Sequence, residues 1–343
     1  MYSREIAKER NKPVEKGIPL QGTWTEAFKE VNLPDVHKPY SIPLLRGIKN
    51  LRIKEWESFS IQDDRFYLFA KLSNLKYYRA ALVIIYNMET KERLEFKKLI
   101  PGGGWRLPRR LHHDSAEGRS SEFFFRIHTW LDTKSIQLEL DVKETYKGPA
   151  FTAQATFDFA RGKTTPMAVS LLFSERRNMY AYKALTAVRG DLVSGGQHIQ
   201  FDPAKTSGLF CDFKGYFPYR RNYTWCSAMG FDDNGRRFGF ALGENQTIES
   251  FANNENALWV DGSLTPLPPV KITQNGGETS DWTIQDVEGM VDLLFTPKEL
   301  GYFEGPDYEY SLGFFNGFVL SLKGEEIPVR NVWGTGERLF LKV

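Results

Sequence analysis

The sequence predicts an all-β fold with little helix, arranged as two antiparallel β-barrels or sandwiches. Three observations support this prediction: strict alternation of apolar and polar residues, turn dipeptides between the alternating segments, and an aromatic content of 14%. Phe and Tyr, with 26 and 15 copies, favour strands and large buried surfaces. Parallel sheets would need helical crossovers, and the pattern contains few helical segments.

The length of 343 residues fits two medium cores, given a prior of roughly 150 residues per domain. We predict a polar segment over residues 1–20, a first β-barrel domain over 21–185 and a second over 186–343. A single curved sandwich is the alternative architecture.

Alternation defines the strands in chain order. The clearest strand is SIQLELDVK, in which the apolar residues from Ile136 to Val142 share one face. The next, FTAQATFDF, alternates in the same way from Phe151 to Phe159. Further predicted strands in the first half are RFYLFAKLS, RAALVIIYN, ERLEFKKL, EFFFRIHTWL and MAVSLLF. Those in the second half are YKALTAVRGDLV, HIQF, TWCSAMGF, RRFGFALG, ALWVDG, VDLLF, YEYSLGFFNGFVLSL and RLFLKV.

Turn chemistry predicts that neighbouring strands are sequential and antiparallel. Asn234 with Gly235, and Asp261 with Gly262, occupy places where a type I′ hairpin needs positive φ. The segment DPAKTSGLFCDFKGYFPYRR lacks alternation and carries turn-forming Gly and Pro. We predict a structured loop there.

Charge and composition exclude several classes of function. The 45 basic and 43 acidic residues give a net charge of +2 without a run of five like charges, which argues against nucleic-acid binding and a polybasic membrane anchor. The start MYSREIAKERNKPVEKG lacks the apolar core of a signal peptide, and no segment has 18 uninterrupted apolar residues. With Cys211 and Cys226 as the only cysteines, we predict a cytoplasmic protein without stable membrane insertion.

The densest polar and aromatic segment is CDFKGYFPYRRNYTWCSAMGF. Its candidate site residues are Asp212, Lys214, Tyr219, Arg220, Arg221, Tyr223 and Trp225. Such a mixture can seat an apolar ligand on its rings and present a proton donor or an anion clamp to the polar end. The alternative is a loop that plugs a barrel end, in which an arginine pairs with Asp212 and Trp225 fills the core.

Two weaker clusters add candidate ligand-binding residues. His112 and His113 precede a strand and lie near carboxylates, an arrangement that suits acid–base work near neutral pH. Adjacent residues of a strand point oppositely and no chelating spacing occurs, so we predict no metal site. Glu244 and Asn245 follow FGFALG, where loop groups can project into a barrel mouth.

The segments YKALTAVRGDLV, DFKGYFPYRRNYTWCSAMGFDDNGRRFGFALGENQ and NALWVDGSLTPLPPV together resemble a bacterial domain-of-unknown-function family over most of the chain. The all-β organisation, the length and the segment ending in Trp225 are more loosely similar to two-domain lipocalin-like (calycin) proteins. That group includes carotenoid 1,2-hydratase (hydroxyneurosporene synthase) and tocopherol cyclase.

The resemblance implies two calycin barrels packed together, an elongated apolar cavity between or within them, and often no cofactor. In the related enzymes a carboxylic acid protonates an isoprenoid double bond, which implies that role for Asp212. A protonated Asp212 needs a pKa raised by burial, and a nearby Arg220 or Arg221 would oppose that rise.

Three hypotheses of function follow, each with a small molecule as partner and no cofactor. The first is lipocalin-like binding of an apolar, lipid or isoprenoid-like molecule in an aromatic-lined cavity. The second is a hydratase, cyclase or isomerase in which Asp212 is the acid and Tyr219 or Tyr223 stabilises the developing charge. The third is a carbohydrate-active protein with two carboxylates in an open groove.

Overall fold

The computed structural model of the chain describes residues 2–102, 105, 107–145, 148–161, 163–218, 220–244, 247–277, 279–302 and 308–342. Strands dominate this part, which also contains the helix α1 (Arg46–Arg52) and two short 3-10 turns, Leu33–Asp35 and Leu131–Thr133. No helix of the described residues has the length and apolar character that crossing a membrane requires. The prediction of an all-β fold with little helix is confirmed.

The strands form one small hairpin and two large sheets. The hairpin consists of β1 (Val14–Glu15) and β2 (Ile18–Pro19). The first large sheet contains β3 (Gly22–Trp24), β4 (Lys54–Gln62), β5 (Phe66–Asn74), β6 (Tyr78–Asn87), β7 (Arg93–Pro101), β8 (Asp114–Arg119), β9 (Phe123–Trp130), β10 (Ser135–Val142), β11 (Phe151–Asp158), β12 (Met167–Ser174), β13 (Arg177–Ser194), β14 (Gln197–Phe201) and β15 (Ser207–Gly215). The second contains β16 (Arg220–Phe231), β17 (Arg237–Glu244), β18 (Ala257–Val260), β19 (Ser263–Pro266), β20 (Val270–Gln274), β21 (Trp282–Asp286), β22 (Val291–Tyr302), β23 (Tyr308–Leu320) and β24 (Glu326–Lys342).

The paired strands of both large sheets are antiparallel, and most neighbours are sequential. The first sheet runs β7-β6-β5-β4-β15-β13-β11-β10-β9-β8, with β12 and β14 paired to β13 and β3 paired to β12. The second runs β19-β18-β17-β16-β24-β23-β22-β21-β20. In each sheet a late strand returns to the middle: β15 lies between β4 and β13, and β24 lies between β16 and β23.

Each large sheet curls into a half-barrel, and the two half-barrels pack back to back. In the first, the edge strand β7 approaches β9, because Phe96 packs on Phe123 and Lys98 Nζ lies 2.7 Å from Glu122 Oε2. In the second, the Ile272 amide of β20 donates to Glu244 Oε2 at the end of β17, at 3.2 Å. The predicted pair of calycin-like barrels is therefore what the chain forms.

The apolar residues form three layers. The first layer fills the first barrel and includes Phe59, Phe125, Phe157 and Phe210. The second lies between the two sheets and contains residues of both, and the third fills the second barrel. A sheet with an apolar layer on each face buries its central strands completely, so those strands lose the alternation that marks a half-buried strand.

This burial explains where the strand prediction is wrong. The segment predicted as a structured loop contains β15, whose residues from Ser207 to Gly215 are all buried. Its inner face carries Asp212 and Lys214 and its outer face carries apolar side chains, so it resembles neither an alternating strand nor an apolar run. The strand β4 also went unpredicted, for the same reason.

The two predicted hairpin turns have different outcomes. Asp261 and Gly262 both have positive φ, at 47° and 78°, as a type I′ turn requires. At the other turn only Gly235 has positive φ, and its amide donates to the Asp232 carbonyl at 2.9 Å. Because Asp232 Oδ1 also accepts from the Asn234 amide, Asn234 stays in the right-handed region and the type I′ prediction is wrong there.

The chain passes from the first large sheet to the second between Gly215 and Arg220. The strand β13 continues through residue 185, where the sequence predicts the boundary between the domains. The predicted boundary stays a prediction, since a change of sheet does not by itself define a folding unit.

Candidate active site

Five ionisable side chains meet inside the first barrel, at the end where β4 begins and β15 ends. Strand register places Glu57 of β4 opposite Asp212 of β15, and Asp212 opposite Tyr182 of β13. Tyr180 lies opposite Lys214 in the same ladder. Side chains two residues apart share a face of a strand, so all five point into the barrel. We call Glu57, Asp212, Lys214, Tyr180 and Tyr182 the carboxyl cluster.

The carboxyl cluster is shielded from solvent and incompletely hydrogen-bonded. Glu57 and Asp212 are both 0% exposed. Lys214 Nζ donates to Asp212 Oδ1. Both oxygens of Glu57 have no hydrogen-bond partner among the described residues, whereas the Tyr180 hydroxyl interacts with the Asp212 carboxyl group. A buried polar atom without a partner destabilises a fold by about 1–3 kcal/mol, so the Glu57 oxygens require an explanation other than stability.

Burial raises the pKa values of the two carboxyl groups, and Lys214 opposes the rise at Asp212. Burial, and next the charge of Asp212, raise the pKa of Glu57 well above its usual value. Burial also raises the pKa of Asp212, to about 6, although the ammonium of Lys214 opposes the rise. Burial lowers the pKa of Lys214, but the neighbouring carboxyl groups, Asp212 first, outweigh it and the net shift is upward. These directions favour a protonated Glu57 beside an Asp212 carboxylate that is paired with the Lys214 ammonium.

This arrangement supplies an acid and a base in one site. Two titratable groups whose pKa values are pushed apart by their surroundings mark an acid–base assignment. Burial, followed by the charge of Asp212, also raises the pKa of Tyr180 well above its usual value, so its hydroxyl stays a neutral donor. Glu57 can donate a proton and Asp212 can accept one, so residues of the chain itself can fill both roles.

The raised pKa of Glu57 predicts a pH dependence of stability. A carboxyl group whose folded pKa exceeds its unfolded pKa contributes stability that is complete below the unfolded value, about 4.3, and is lost as pH rises. Glu57→Gln lacks this titration. The free energy of unfolding of the variant minus that of the native chain should therefore increase above pH 5, by at most about 1.4 kcal/mol per pH unit. Urea unfolding of both proteins from pH 4 to pH 8 measures the difference. A constant difference across this range would show that the pKa of Glu57 is not raised.

Aromatic rings surround the carboxyl cluster. The Phe28 ring lies 5.6 Å from that of Tyr180, and the Phe210 ring lies 6.0 Å from that of Tyr182. Phe59 packs on Phe210 at 5.0 Å, deeper in the barrel. The charges of the cluster therefore act in a medium of low dielectric constant, where they are stronger than in water.

The cluster borders a cavity of about 650 Å³ that opens at the same end of the barrel. Ala27, His112, Leu131, Phe159 and Tyr182 contribute to its lining. This volume is in the range of small-molecule pockets, about 300–1,000 Å³. Tyr182 is the one member of the carboxyl cluster in this lining, and it lies beside Asp212 in the ladder.

A second set of buried charges lies between the two sheets. Lys183 Nζ is 2.6 Å from Glu255 Oε2, and both side chains are 0% exposed. The Tyr223 hydroxyl donates to Glu255 Oε1. Lys183 Nζ also lies over the ring of Trp225, 5.6 Å from its centroid. Tyr223 and Trp225 thus belong to the layer between the barrels and face away from Asp212.

A similar arrangement lies a short distance along the same layer. Lys71 Nζ is 3.3 Å from Glu337 Oε2 and donates to the Tyr308 hydroxyl at 2.9 Å. Lys71 belongs to the first sheet, whereas Glu337 and Tyr308 belong to the second. A cavity of only about 20 Å³ remains beside them, which has room for about one water molecule. These contacts align one barrel on the other and leave no space for a substrate.

The other predicted site residues are dispersed. His112 lines the cavity, with Nδ1 3.2 Å from Asp132 Oδ1 and Nε2 3.3 Å from the Ala27 carbonyl oxygen, whereas His113 is exposed to solvent. Glu244 accepts from Lys271 Nζ at 2.8 Å, which is a structural role at the end of β17.

Four predicted residues cannot be placed as side chains. Tyr219 and Asn245 lie outside the described residues. Arg220 and Arg221 pair through their backbones with Lys342 and Leu341, and their side chains lie outside the described part. Among the described side chains, Lys214 is a cation that contacts Asp212. No group of three or more His, Cys, Asp or Glu that could hold a metal ion occurs in the described residues.

Sequence reasoning missed Glu57, Tyr180 and Tyr182. Glu57 lies in KEWESFSIQ, where glutamates alternate with Trp and Ser in a pattern typical of a solvent-facing surface. The one available signal is the spacing of Tyr180 and Tyr182, which fits one strand face. Pairing of β4 with β15 bridges more than a hundred residues, and no local pattern predicts it.

The fold is shared with solved structures of low sequence identity. Kievitone hydratase from Nectria haematococca is 14% identical, with a TM-score of 0.52 over 84% of this chain and 88% of that chain. CghA is 10% identical, with a TM-score of 0.57 over 98% of this chain and 97% of that chain. CghA with Sch210972 is 11% identical, with a TM-score of 0.52 over 85% and 89%. At these identities the likeness is one of fold.

No curated protein sequence matches the chain. The family described as domain of unknown function (DUF2804) matches residues 3–342, which is almost the whole length. The chain therefore belongs to the DUF2804 family.

Proposed function

We propose that the chain is an enzyme that performs acid–base chemistry on an apolar small molecule, with Glu57 as the acid and Asp212 as the base. The observation that supports this most is the pair of adjacent, fully buried carboxyl groups, whose pKa values burial raises. Burial without hydrogen bonds destabilises the fold, and a proton donor in a dry site gives a functional reason for it.

Addition of water to a carbon–carbon double bond fits this pair of residues. Glu57 transfers its proton to one carbon of the double bond, and the other carbon becomes cationic. A water molecule forms a bond to that carbon and gives its proton to Asp212, which is ionised at the start. Transfer of that proton from Asp212 to Glu57 restores both groups, so the net reaction consumes one water and needs no cofactor. One of the proteins of similar fold is a hydratase, which favours this version over cyclisation or isomerisation.

Charges around the site suit a cationic intermediate. The rings of Phe28 and Phe210 lie near Tyr180 and Tyr182 of the cluster, and aromatic rings can attract a cation. The Asp212 carboxylate adds a negative charge at the same place. Its partner Lys214 limits this effect and keeps Asp212 ionised near neutral pH.

Binding without turnover is the second candidate. The cavity of about 650 Å³ beside Tyr182 supports it, because such a volume can hold a ligand whether or not a reaction follows. A carbohydrate-active protein needs its carboxylates in an open groove, whereas Glu57 and Asp212 are fully buried, so we do not propose that activity. We retain a cytoplasmic location in the proposal because the cysteines Cys211 and Cys226 are both free and buried.

A direct test combines native mass spectrometry with an untargeted assay. Any molecule that co-purifies is extracted and identified, and the protein is then incubated with apolar cell extracts in water and in D₂O. The proposal expects a product heavier by one water, with deuterium on carbon, from the native protein. A bound molecule that returns unchanged, with no such product in any extract, would favour the binding protein.

A further inference from the structure

The segment that covers the carboxyl-cluster end of the first barrel is strongly basic. Residues 38–54, with the sequence KPYSIPLLRGIKNLRIK, contain no acidic residue. The basic residues are Lys38, Arg46, Lys49, Arg52 and Lys54, of which Lys54 is buried and donates to the Leu75 carbonyl oxygen at 2.7 Å. We call residues 38–54 the basic segment. The chain as a whole has a net charge of only +2, so the segment is a local concentration of positive charge.

The basic segment also exposes large apolar side chains. Ile42, Leu45, Ile48 and Leu51 are 56%, 76%, 44% and 53% exposed. The helix α1 within it has no buried residue. Four large apolar side chains within ten residues form an exposed patch, and such patches on soluble domains mark interaction sites.

Contacts to the barrel hold the basic segment in place. Lys49 Nζ donates to the carbonyl oxygens of Pro34 and Val36, at 3.0 and 2.8 Å, and Arg46 forms an ion pair with Asp35. The Tyr40 ring packs on Tyr216 at 6.0 Å, just beyond the end of β15. The exposed apolar patch is therefore presented on the outside of the barrel end whose inside holds the carboxyl cluster.

We propose that the basic segment docks on the surface of an anionic lipid bilayer. Apolar side chains that enter the interface and basic residues beside them are the two features that bind peripheral segments to anionic membranes. A protein partner would have to match both features with an acidic, apolar surface, whereas an anionic bilayer supplies both without further specificity. The contact is peripheral and inserts no strand or helix across the membrane.

Docking at this place would give the proposed enzyme access to an apolar substrate, and this role of docking rests on the proposed function. An apolar substrate partitions into membranes, and the basic segment would position the end of the barrel that bears the carboxyl cluster and its cavity at the bilayer surface. The membrane would then be the source from which the enzyme takes its substrate.

Vesicle sedimentation tests this inference without any substrate. The full chain is mixed with phosphatidylcholine vesicles, with and without phosphatidylglycerol. We expect binding to the vesicles that contain phosphatidylglycerol, weaker binding to the others, and a decrease as salt screens the charges. The variant Leu45→Ser/Ile48→Ser/Leu51→Ser should lower the partition coefficient by about tenfold or more, because its apolar contribution is removed.

A matched control replaces three exposed apolar residues elsewhere. Ile18, Leu99 and Val287 are 65%, 51% and 86% exposed, and Ile18→Ser/Leu99→Ser/Val287→Ser should bind as the native chain does. The inference is overturned if the native chain does not bind, or if the two triple variants bind equally. It is also overturned if light scattering shows that the native chain is a dimer that the first variant dissociates, since a second copy would then cover the patch. Failure of vesicle binding leaves the acid–base proposal intact, and failure of turnover leaves vesicle binding intact.

Discussion

Lys183→Met is expected to lower the free energy of unfolding by about 3–5 kcal/mol. Lys183 and Glu255 form a fully buried ion pair between the two barrels, at 2.6 Å. Without the ammonium group, the Glu255 carboxyl group stays in a medium of low dielectric constant without its ion-pair partner, although it keeps its contact with the Tyr223 hydroxyl. Urea unfolding monitored by tryptophan fluorescence measures the loss.

Two further variants show whether the effect comes from the unpaired charge. Lys183→Met/Glu255→Gln removes both charges and keeps a hydrogen-bond acceptor for Tyr223, so it should recover at least half of the lost stability. Lys271→Met breaks the ion pair between Lys271 and Glu244, in which the lysine side chain is 74% exposed. This variant should change the free energy of unfolding by less than about 0.5 kcal/mol. A loss for Lys183→Met no larger than that for Lys271→Met would mean that the pair does not hold the barrels together.

Glu57→Gln is expected to lower turnover by about 10²–10⁴-fold, the usual contribution of a positioned acid. Glutamine has almost the same shape as glutamic acid but carries no acidic proton, so packing against Leu72 and Asp212 is preserved. The same variant should be more stable than the native chain near neutral pH, because the raised pKa of Glu57 no longer opposes folding there. Loss of activity together with a gain of stability distinguishes a catalytic group from a structural one.

Once the untargeted assay has identified a product, the steady-state rate of its formation measures this loss. The control variant is Glu139→Gln. Glu139 lies on the outer face of the same barrel, in an exposed pair with Arg126, and its replacement should leave turnover unchanged. The native rate should rise with pH as the pair loses its first proton, near 6, and fall at higher pH as it loses its second. A Glu57→Gln enzyme with native turnover would remove Glu57 from the mechanism.

Two of the strands that the sequence predicted most clearly, β10 and β11, have one face toward solvent, whereas other predicted strands, such as β5 and β6, are buried on both faces. The segments from Ile136 to Val142 and from Phe151 to Phe159 alternate because one face meets the first apolar layer and the other meets water. The turn at Asp261 and Gly262 was predictable because both residues tolerate positive φ. These signals are local, and they were sufficient for the fold class.

Two strands between the apolar layers, β4 and β15, could not be predicted in the same way. The strands β4 and β15 have buried residues on both faces, and their inner faces carry the charges of the carboxyl cluster. A glutamate or lysine in a strand normally indicates a solvent-facing position. The charged residues of the carboxyl cluster therefore prevented the prediction of β4 and β15 as buried strands.

Two residues of the carboxyl cluster were among the candidates that the sequence singled out. These residues are Asp212 and Lys214, and the structure places them in contact. Tyr223 and Trp225 were grouped with them because they are close in sequence, yet a change of sheet after Gly215 sends them to the layer between the barrels. Proximity in sequence is a poor guide where a chain leaves one sheet and enters another.

The central claim is that Glu57 is protonated at neutral pH beside an ionised Asp212. Infrared difference spectroscopy of the native chain against Glu57→Gln, at pH 7, tests it most directly, because a protonated carboxyl group has a C=O stretch separate from that of a carboxylate. Our account predicts a protonated-carboxyl band in the native chain that is missing from Glu57→Gln and persists well above neutral pH. A native spectrum with no such band, or with the same band in both proteins, would contradict it.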